Sequence, residues 1–465
     1  MEVIVQHFAK ELGKTAEKIL SEVGLSDIDQ LSLDLLTVTK EQICVLISEL
    51  LEQLNEEFRE DKIFRKELGL NLKEKHRVRT IDLPTGTLHF RRDYYMFKES
   101  KKFVYPVDSM VGITPYSRIS EHLCALLVNH SAELSYEKSA DAVTEGKVSK
   151  QTVKNKLMSV GRLEKEAPEE RRIVKELQVF ADEDHTHLQN GKNHQVPLIT
   201  ICEGIEEVCN GRNELVNAVH FEGDIKDIQA TWEKVAGYIY QAYDEDELQR
   251  VNLHGDGAAW IKMGVEELPK CRHIMDEFHF EKYLKAATAP FPGKNYRYRI
   301  RQAILSKDIK EALSIVSEMR RATTDNKQER RVLKFRTYLR NNWNSIVLRY
   351  TENDVMGSCT EALISHVYSK RLSRNPMGWS EEGVQKMAEL RVYKCNGCEV
   401  ERKDFRRSKE EKNRSVLLEY SRKRFAQINE KPIDWSIFEK ESHIASTNSP
   451  MQILISAYGR LRSIA

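Results

Sequence analysis

Three acidic residues sit where an apolar run gives way to a turn. VFADEDH puts Asp182 at the end of one run, with Asp184 two residues on. LHGDGAAW puts Asp256 after another, flanked by Gly255 and Gly257. Such positions suit chemistry on phosphodiesters. That chemistry needs a nucleophilic hydroxyl and relief of the charge on the phosphate, and two divalent ions roughly 3.5–4 Å apart supply both. Magnesium takes hard oxygen ligands, few of them from protein. Carboxylates at the ends of neighbouring strands offer such ligands from rigid backbone that is still open to substrate. The two glycines let backbone or substrate come close to Asp256. An aspartate at a strand end is also a common turn residue, and that plainer reading stands for each of the three taken singly.

The elements around these residues have an α/β order. Strand-like runs fall at 177–182, 196–205, 215–221, 250–256 and 271–276, with an amphipathic helix over 226–243 between the third and the fourth. Three strands, a helix and further strands match the order of a ribonuclease-H-like sheet. Asp182 and Asp256 are 74 residues apart, room for the intervening strands and helix. Residues 281–350 then become almost wholly helical and basic, and the chain from 354 is helical again. Asn375-Pro376 and Lys431-Pro432 mark late breaks.

The first half of the chain differs. Residues 1–66 carry apolar positions at helical spacing, among them Ile43, Leu46, Ile47, Leu50, Leu51 and Leu54. HRVRTIDLPTGTLHFRRDYYMF predicts two strands around a Leu-Pro-Thr-Gly turn, bearing Arg77, Arg79, Arg91, Arg92, Tyr94 and Tyr95. That mixture suits a nucleic-acid surface and equally a plain small β-unit. Ile119, Leu123, Leu126 and Leu127 form one helical stripe, and a second helix runs from about Ser135 to Val143. Ser149 then caps a third helix, KQTVKNKLMSVG. Two short helices joined by a glycine-bearing turn predict a helix-turn-helix. Its last helix buries Val153, Leu157 and Val160 and leaves Lys150, Gln151, Lys154, Asn155 and Lys156 free. Those side chains are donors of the kind that read base edges and phosphates. A generic three-helix core has the same pattern.

The chain has 465 residues, enough for about three domains. Net charge is +1, so overall basicity argues nothing about nucleic acid. Its distribution is more telling. Residues 1–66 hold 14 acidic and 8 basic side chains, 71–103 hold nine basic against four acidic, and 402–424 hold ten against four. Local basic patches are what phosphate contacts need, although each is also compatible with a solvated face. Eight cysteines show no framework spacing, and Cys395-Asn-Gly-Cys398 lacks a second ligand pair at zinc-site spacing. The start has no apolar signal core, and the longest clean apolar run is Leu123–Val128. A cytoplasmic protein with reduced thiols is expected.

ADEDH (181–185), HGDGAAWIK (254–262), DEFH (276–279) and CTEALISHVYSKRLSRNPMGWS (359–380) together resemble bacterial insertion-sequence transposases of the ISLre group, related to the Mutator-like transposases. The resemblance runs nearly the whole length. It implies a ribonuclease-H-like α/β catalytic domain (170–390) with an all-helical insertion near 281–350. A helical segment (1–70) and a hairpin and helix-turn-helix DNA-binding region (71–165) would precede it, and a basic helical region (391–465) would follow. It implies Asp182, Asp256 and Glu361 as the catalytic and metal-holding residues, carrying two Mg²⁺ or Mn²⁺ ions. Asp276 and His279 form a supporting D-x-x-H motif, and Asp184 competes with Asp182 as first ligand. The 105 residues between Asp256 and Glu361 are accounted for by the insertion. Lys150, Gln151, Lys154 and Asn155 are the expected DNA-reading residues. Partners would be double-stranded DNA, at element ends and target, and further copies of the chain, on the nucleoid. Trp343 is a core residue or a platform for an unpaired base; Trp379 has no assigned chemistry. Two other classes fit the same residues: a non-catalytic DNA-binding regulator descended from a transposase, and a structure-specific nuclease. An intact carboxylate set argues against the first, and the helix-turn-helix and long insertion argue against the second.

Overall fold

A computed structural model describes residues 2–23, 27–209, 212–352, 355–375 and 378–405. Most of the basic cluster at 402–424, the Lys431-Pro432 break and most of the expected C-terminal region lie outside the described residues. The chain is mixed α/β and divides into two compact units. One comes chiefly from Met1–Leu127, the other from Val128–Asp141 and Val148–Val400. Among the described residues, no helix is long and apolar enough to cross a membrane.

The chain opens with α1 (Glu2–Val23), α2 (Ile28–Glu60), α3 (Lys62–Glu67), β1 (Leu70–Leu83), β2 (Gly86–Phe97), β3 (Phe103–Val104), α4 (Pro106–Val111) and α5 (Glu121–Ser131). β1 and β2 form the expected hairpin, closing at Leu83 opposite Gly86. Alternate side chains of a strand share a face, so Leu88 and Phe90 pack into a core with Leu51, Leu54 and Phe58 of α2. Arg92 shares that inward parity. Its buried charge is met by Asp108 of α4, which Arg79 also approaches at 3.9 Å. Tyr95 is fully buried, and Tyr94 stacks on Phe103 with centroids 4.9 Å apart. Much of the hairpin's basic and aromatic character is therefore spent on its own packing, while Arg77 and Arg91 remain exposed.

The second unit contains α6 (Tyr136–Thr144, up to Asp141) and α7 (Lys150–Ser159), then β4 (Glu176–His187), β5 (Asn193–Cys202), β6 (Gly204–Cys209), β7 (Arg212–Val216) and β8 (Val219–Glu222). α8 (Ile228–Ala242), β9 (Arg250–Gly255), α9 (Ala259–Glu267) and β10 (Cys271–Met275) follow. The main sheet has the order β10-β9-β4-β5-β8. β5 runs antiparallel to both of its neighbours, β4 and β8, whereas β9 runs parallel to β4 and to β10. Parallel strands covered on both faces read as continuous apolar runs. Val251 and Leu253 of β9 enter the core with Trp232, Val235 and Ile239 of α8, and His254 stacks on Phe180.

Three of the expected runs differ from the strands observed. The run 177–182 continues as β4 to His187, because β5 pairs with it from Cys202 opposite Gln178 to Asn193 opposite His187. The runs 196–205 and 215–221 each split, since β6 and β7 form a separate hairpin. Asn217 takes a left-handed φ of 50° and bonds Glu203 at 2.8 Å, which turns the chain back toward the sheet.

After β10 come α10 (Glu277–Thr288), α11 (Tyr296–Leu305), α12 (Ile309–Arg321), α13 (Asn326–Asn341) and α14 (Trp343–Thr351). These helices build their own core around Phe280, Ile300, Ile315, Phe335 and Ile346, as the helical stretch 281–350 predicts. Trp343 packs against that core, half-buried. The described chain closes with α15 (Thr360–Ile364), one π-helical turn over Ser365–Ser369, α16 (Lys370–Leu372) and α17 (Glu381–Cys395).

Candidate metal centre

β9 ends one residue before Asp256, while β4 runs on. The parallel pairing of the two strands stops at Phe180 opposite His254. Asp182 thus stands just beyond the last shared rung, mid-strand rather than at a strand end, on the side that β9 has vacated. Asp256 follows β9 directly and its Oδ1 accepts the Ala258 N–H at 2.8 Å. The flanking glycines have specific neighbours. A Cβ on Gly255 would fall 2.8 Å from Ile261 and 3.1 Å from the Ala181 carbonyl. Gly257 has φ +85°, and a Cβ there would fall 2.6 Å from Asn342 at the end of α13. Both glycines seat the Asp256 turn against protein.

One donor atom from each of Asp182, His279 and Glu361 lies within 4.8 Å of the others. His279 comes from the first turn of α10 and Glu361 from the first turn of α15, and Nε2 of the former is 3.4 Å from Oε1 of the latter. Asp256 stays outside this trio, but its charge reaches it. The Asp182 carboxyl is pushed up to about 8, by burial above all and then by the negative charges of Glu183, Glu361 and Asp256. Glu183 is also raised, chiefly by burial and with Asp256 adding to it; the indole N–H of Trp260 donates to it at 2.9 Å.

Two other aspartates fix the helix that carries Glu361. Asp276 is buried and N-caps α10, accepting the Phe278 N–H at 2.8 Å. Its second oxygen takes the Ser358 hydroxyl at 2.8 Å and the Thr360 hydroxyl. One carboxylate thus ties the start of His279's helix to the residue before Glu361. Asp184 does the same beyond Glu361. It accepts hydroxyls from Ser373 at 3.0 Å and Ser369 at 3.4 Å, and burial raises its carboxyl. The structure therefore brings Asp182 to the trio and turns Asp184 toward Ser369 and Ser373. The π-helical turn between Glu361 and α16 widens the helix where Tyr368 donates to the Pro197 carbonyl of β5 at 3.1 Å.

Ser149 caps α7 as expected, its Oγ accepting the Thr152 N–H at 3.2 Å. Val153, Leu157 and Val160 are buried. Lys150, Gln151 and Asn155 are exposed and Lys154 is half-buried; Lys150 lies 3.7 Å from Glu137, and Gln151 bonds Asn155 at 2.8 Å. Lys386 of α17 donates to the Gly161 carbonyl at 2.7 Å, which holds the end of this helix within the sheet-bearing unit. Trp379 is buried and its indole donates to the Leu372 carbonyl at 3.0 Å. Asn396, between the two cysteines, clamps both backbone groups of His220 on edge strand β8. The Cys-Asn-Gly-Cys turn is thus a strand clamp, and among the described residues its thiols join no metal-ligating group.

Ser358, Thr360, Glu183 and Trp260 were missed by sequence reasoning. The run of three acids in ADEDH was the available signal for Glu183; the hydroxyls carried none, since their partner lies 82 and 84 residues away.

The site is an α/β sheet on which carboxylates converge beside a histidine, and Asp182, His279 and Glu361 offer donor atoms that could hold a metal ion. Residues 21–410 match the family described as Uncharacterised protein family (UPF0236), and the chain belongs to that family. A UPF0236 protein of Caldanaerobacter subterraneus subsp. tengcongensis is 37% identical over 352 residues, covering 76% of this chain and 74% of the relative. A second from that organism is 36% identical over 352 residues, covering 76% and 75%. A UPF0236 protein in the vanSb 3′ region of Streptococcus gallolyticus is 22% identical over 402 residues, covering 82% and 86%.

Proposed function

We propose that this chain is a DNA transposase of the DDE type, with a ribonuclease-H-like catalytic domain that cleaves element ends and joins them to target DNA. The convergence of Asp182, Glu361 and His279, with Asp256 beside them, carries the reading. The sheet order and strand directions support it, since three antiparallel strands followed by two parallel ones on the far side of the first are the ribonuclease-H-like arrangement. The relatives' names add independent support. The 37%-identical relative carries eleven locus designations in one organism, and another relative carries four. A protein encoded at many loci of one genome is what a mobile element leaves behind.

The residues fit a divalent ion. His279 Nε2 is buried without a hydrogen-bond partner, and Asp182 faces the like charges of Glu183, Glu361 and Asp256. Asp182, Asp256 and Glu361 would hold Mg²⁺ or Mn²⁺. When bound, a pair of such ions supplies charge neutralisation on the phosphate and activation of the attacking hydroxyl. The protein's own part is positional. β4 and β9 fix Asp182 and Asp256 on rigid backbone. Asp276 and Asp184 lock Glu361 from either side, and His279 holds it toward Asp182. Lys150, Gln151, Lys154 and Asn155 lie on the surface of α7, available to a DNA duplex, and joining two ends requires at least two copies of the chain.

Incubation with the terminal DNA of the chain's own element and Mg²⁺ or Mn²⁺ tests this. Wild type should nick and join ends, and Asp256→Asn should bind them without cleavage. Binding without cleavage by both proteins would instead favour a regulator. Cleavage of branched DNA without joining would favour a nuclease.

A further inference from the structure

The arginines of the helical insertion fall into two groups. On α11, Arg297 and Arg301 pair with Glu281, and Arg299 pairs with Glu318 at 2.8 Å. On α12, Arg320 pairs with Glu329 at 2.8 Å. Those charges are internally neutralised. On α13 the pattern changes. Lys327, Arg330, Arg331 and Lys334 are exposed, and among the described residues none has an acidic partner; the Lys334 ammonium lies over the Tyr283 ring, 5.2 Å from its centroid. Their spacing puts them on one stripe, continued by exposed Thr337 and Asn341.

That stripe leads to the carboxylate site. Lys262 of α9 donates to the Asn341 carbonyl at 3.1 Å, and Asn342 presses on Gly257 beside Asp256. At about 1.5 Å per residue, Lys327 to Asn341 spans about 21 Å, or about six base pairs.

We propose that this face of α13 is a track for the phosphate backbone of double-stranded DNA, guiding it to Asp256; the inference rests on the transposase reading. Cations without acidic partners at this density favour phosphates, because each neutralised phosphate releases counterions. The stripe has no exposed aromatic side chain. Tyr338 stacks on Tyr283 at 4.3 Å instead, so a base-stacking platform of the kind single strands use is absent from this face. The occupant is a duplex read by charge.

The test uses the full chain and a random-sequence DNA duplex, with affinity followed from about 0.05 to 0.3 M salt. The triple variant Arg330→Ala/Arg331→Ala/Lys334→Ala keeps helix-favouring residues at exposed positions. It should lose on the order of a hundredfold in affinity near 0.1 M salt and flatten the log–log salt slope by about 2.7, at about 0.9 per phosphate contact. Arg299→Gln, at a paired position, should leave both unchanged. Unaltered circular dichroism and Mn²⁺ binding in the triple variant exclude misfolding. An equal slope in wild type and triple variant overturns the track while leaving the transposase reading intact, as does an equal effect from Arg299→Gln. Wild type that binds single-stranded RNA but no duplex overturns both.

Discussion

Two sets of acids, one buried and one half-buried to exposed, stand in opposite surroundings. In the hairpin unit, Asp93 is fully buried and accepts from the Arg59 guanidinium at 2.7 Å and the His76 N–H at 3.0 Å. Asp108 faces Arg92 and Arg79. In the sheet unit, Asp182 faces Glu183, Glu361 and Asp256. A buried charge matched by opposite charge is part of the fold. A crowd of like charges costs stability and persists where something else is to be bound.

The contrast predicts opposite responses to the same substitution. Asp93→Asn should have the largest effect, destabilising the protein by about 3 kcal/mol because the half-buried Arg59 is left without its charged partner. Urea denaturation measures this, and a change under about 1 kcal/mol would break the comparison.

Asp276 sharpens it, since it is acidic, beside the site, and yet satisfied by donors. Thr360→Val unties the start of Glu361's helix from Asp276 and should lower cleavage by about 10- to 100-fold, while Mn²⁺ still binds. Full activity in Thr360→Val would remove the tether from the account.

The smallest effect concerns stability alone. With its carboxyl raised to about 8, Asp182 is protonated in the folded chain over a range where it is ionised in the unfolded one. That favours folding at low pH, and the benefit is lost as pH rises toward 8. Asp182→Asn should therefore raise the Tm of metal-free protein at pH 8 by about 3 °C and leave it nearly unchanged near pH 4. A drop at pH 8 would mean that Asp182 has a stabilising partner.

Much of this was legible in the sequence. The capped helix after Ser149, the helical stretch past residue 281 and the strand series follow from local patterning, where each residue's neighbours in sequence are its neighbours in space. What escaped depended on long-range partners. Pairing with β5 carries β4 past Asp182. Arg92 lies in a basic-looking strand but turns inward to Asp108. The hydroxyl partners of Asp184, Ser369 and Ser373, lie 185 and 189 residues away. His279 meets Glu361 only because Asp276 joins their two elements.

Mn²⁺ titration of the metal-free full-length protein, followed by electron paramagnetic resonance at pH 8, tests the central claim most directly. Wild type should bind the ion, more weakly by about tenfold per pH unit as pH falls below 8 and Asp182 takes up its proton. Asp182→Asn and Glu361→Gln should abolish tight binding. Equal affinity in wild type and both variants would contradict the assignment of this site.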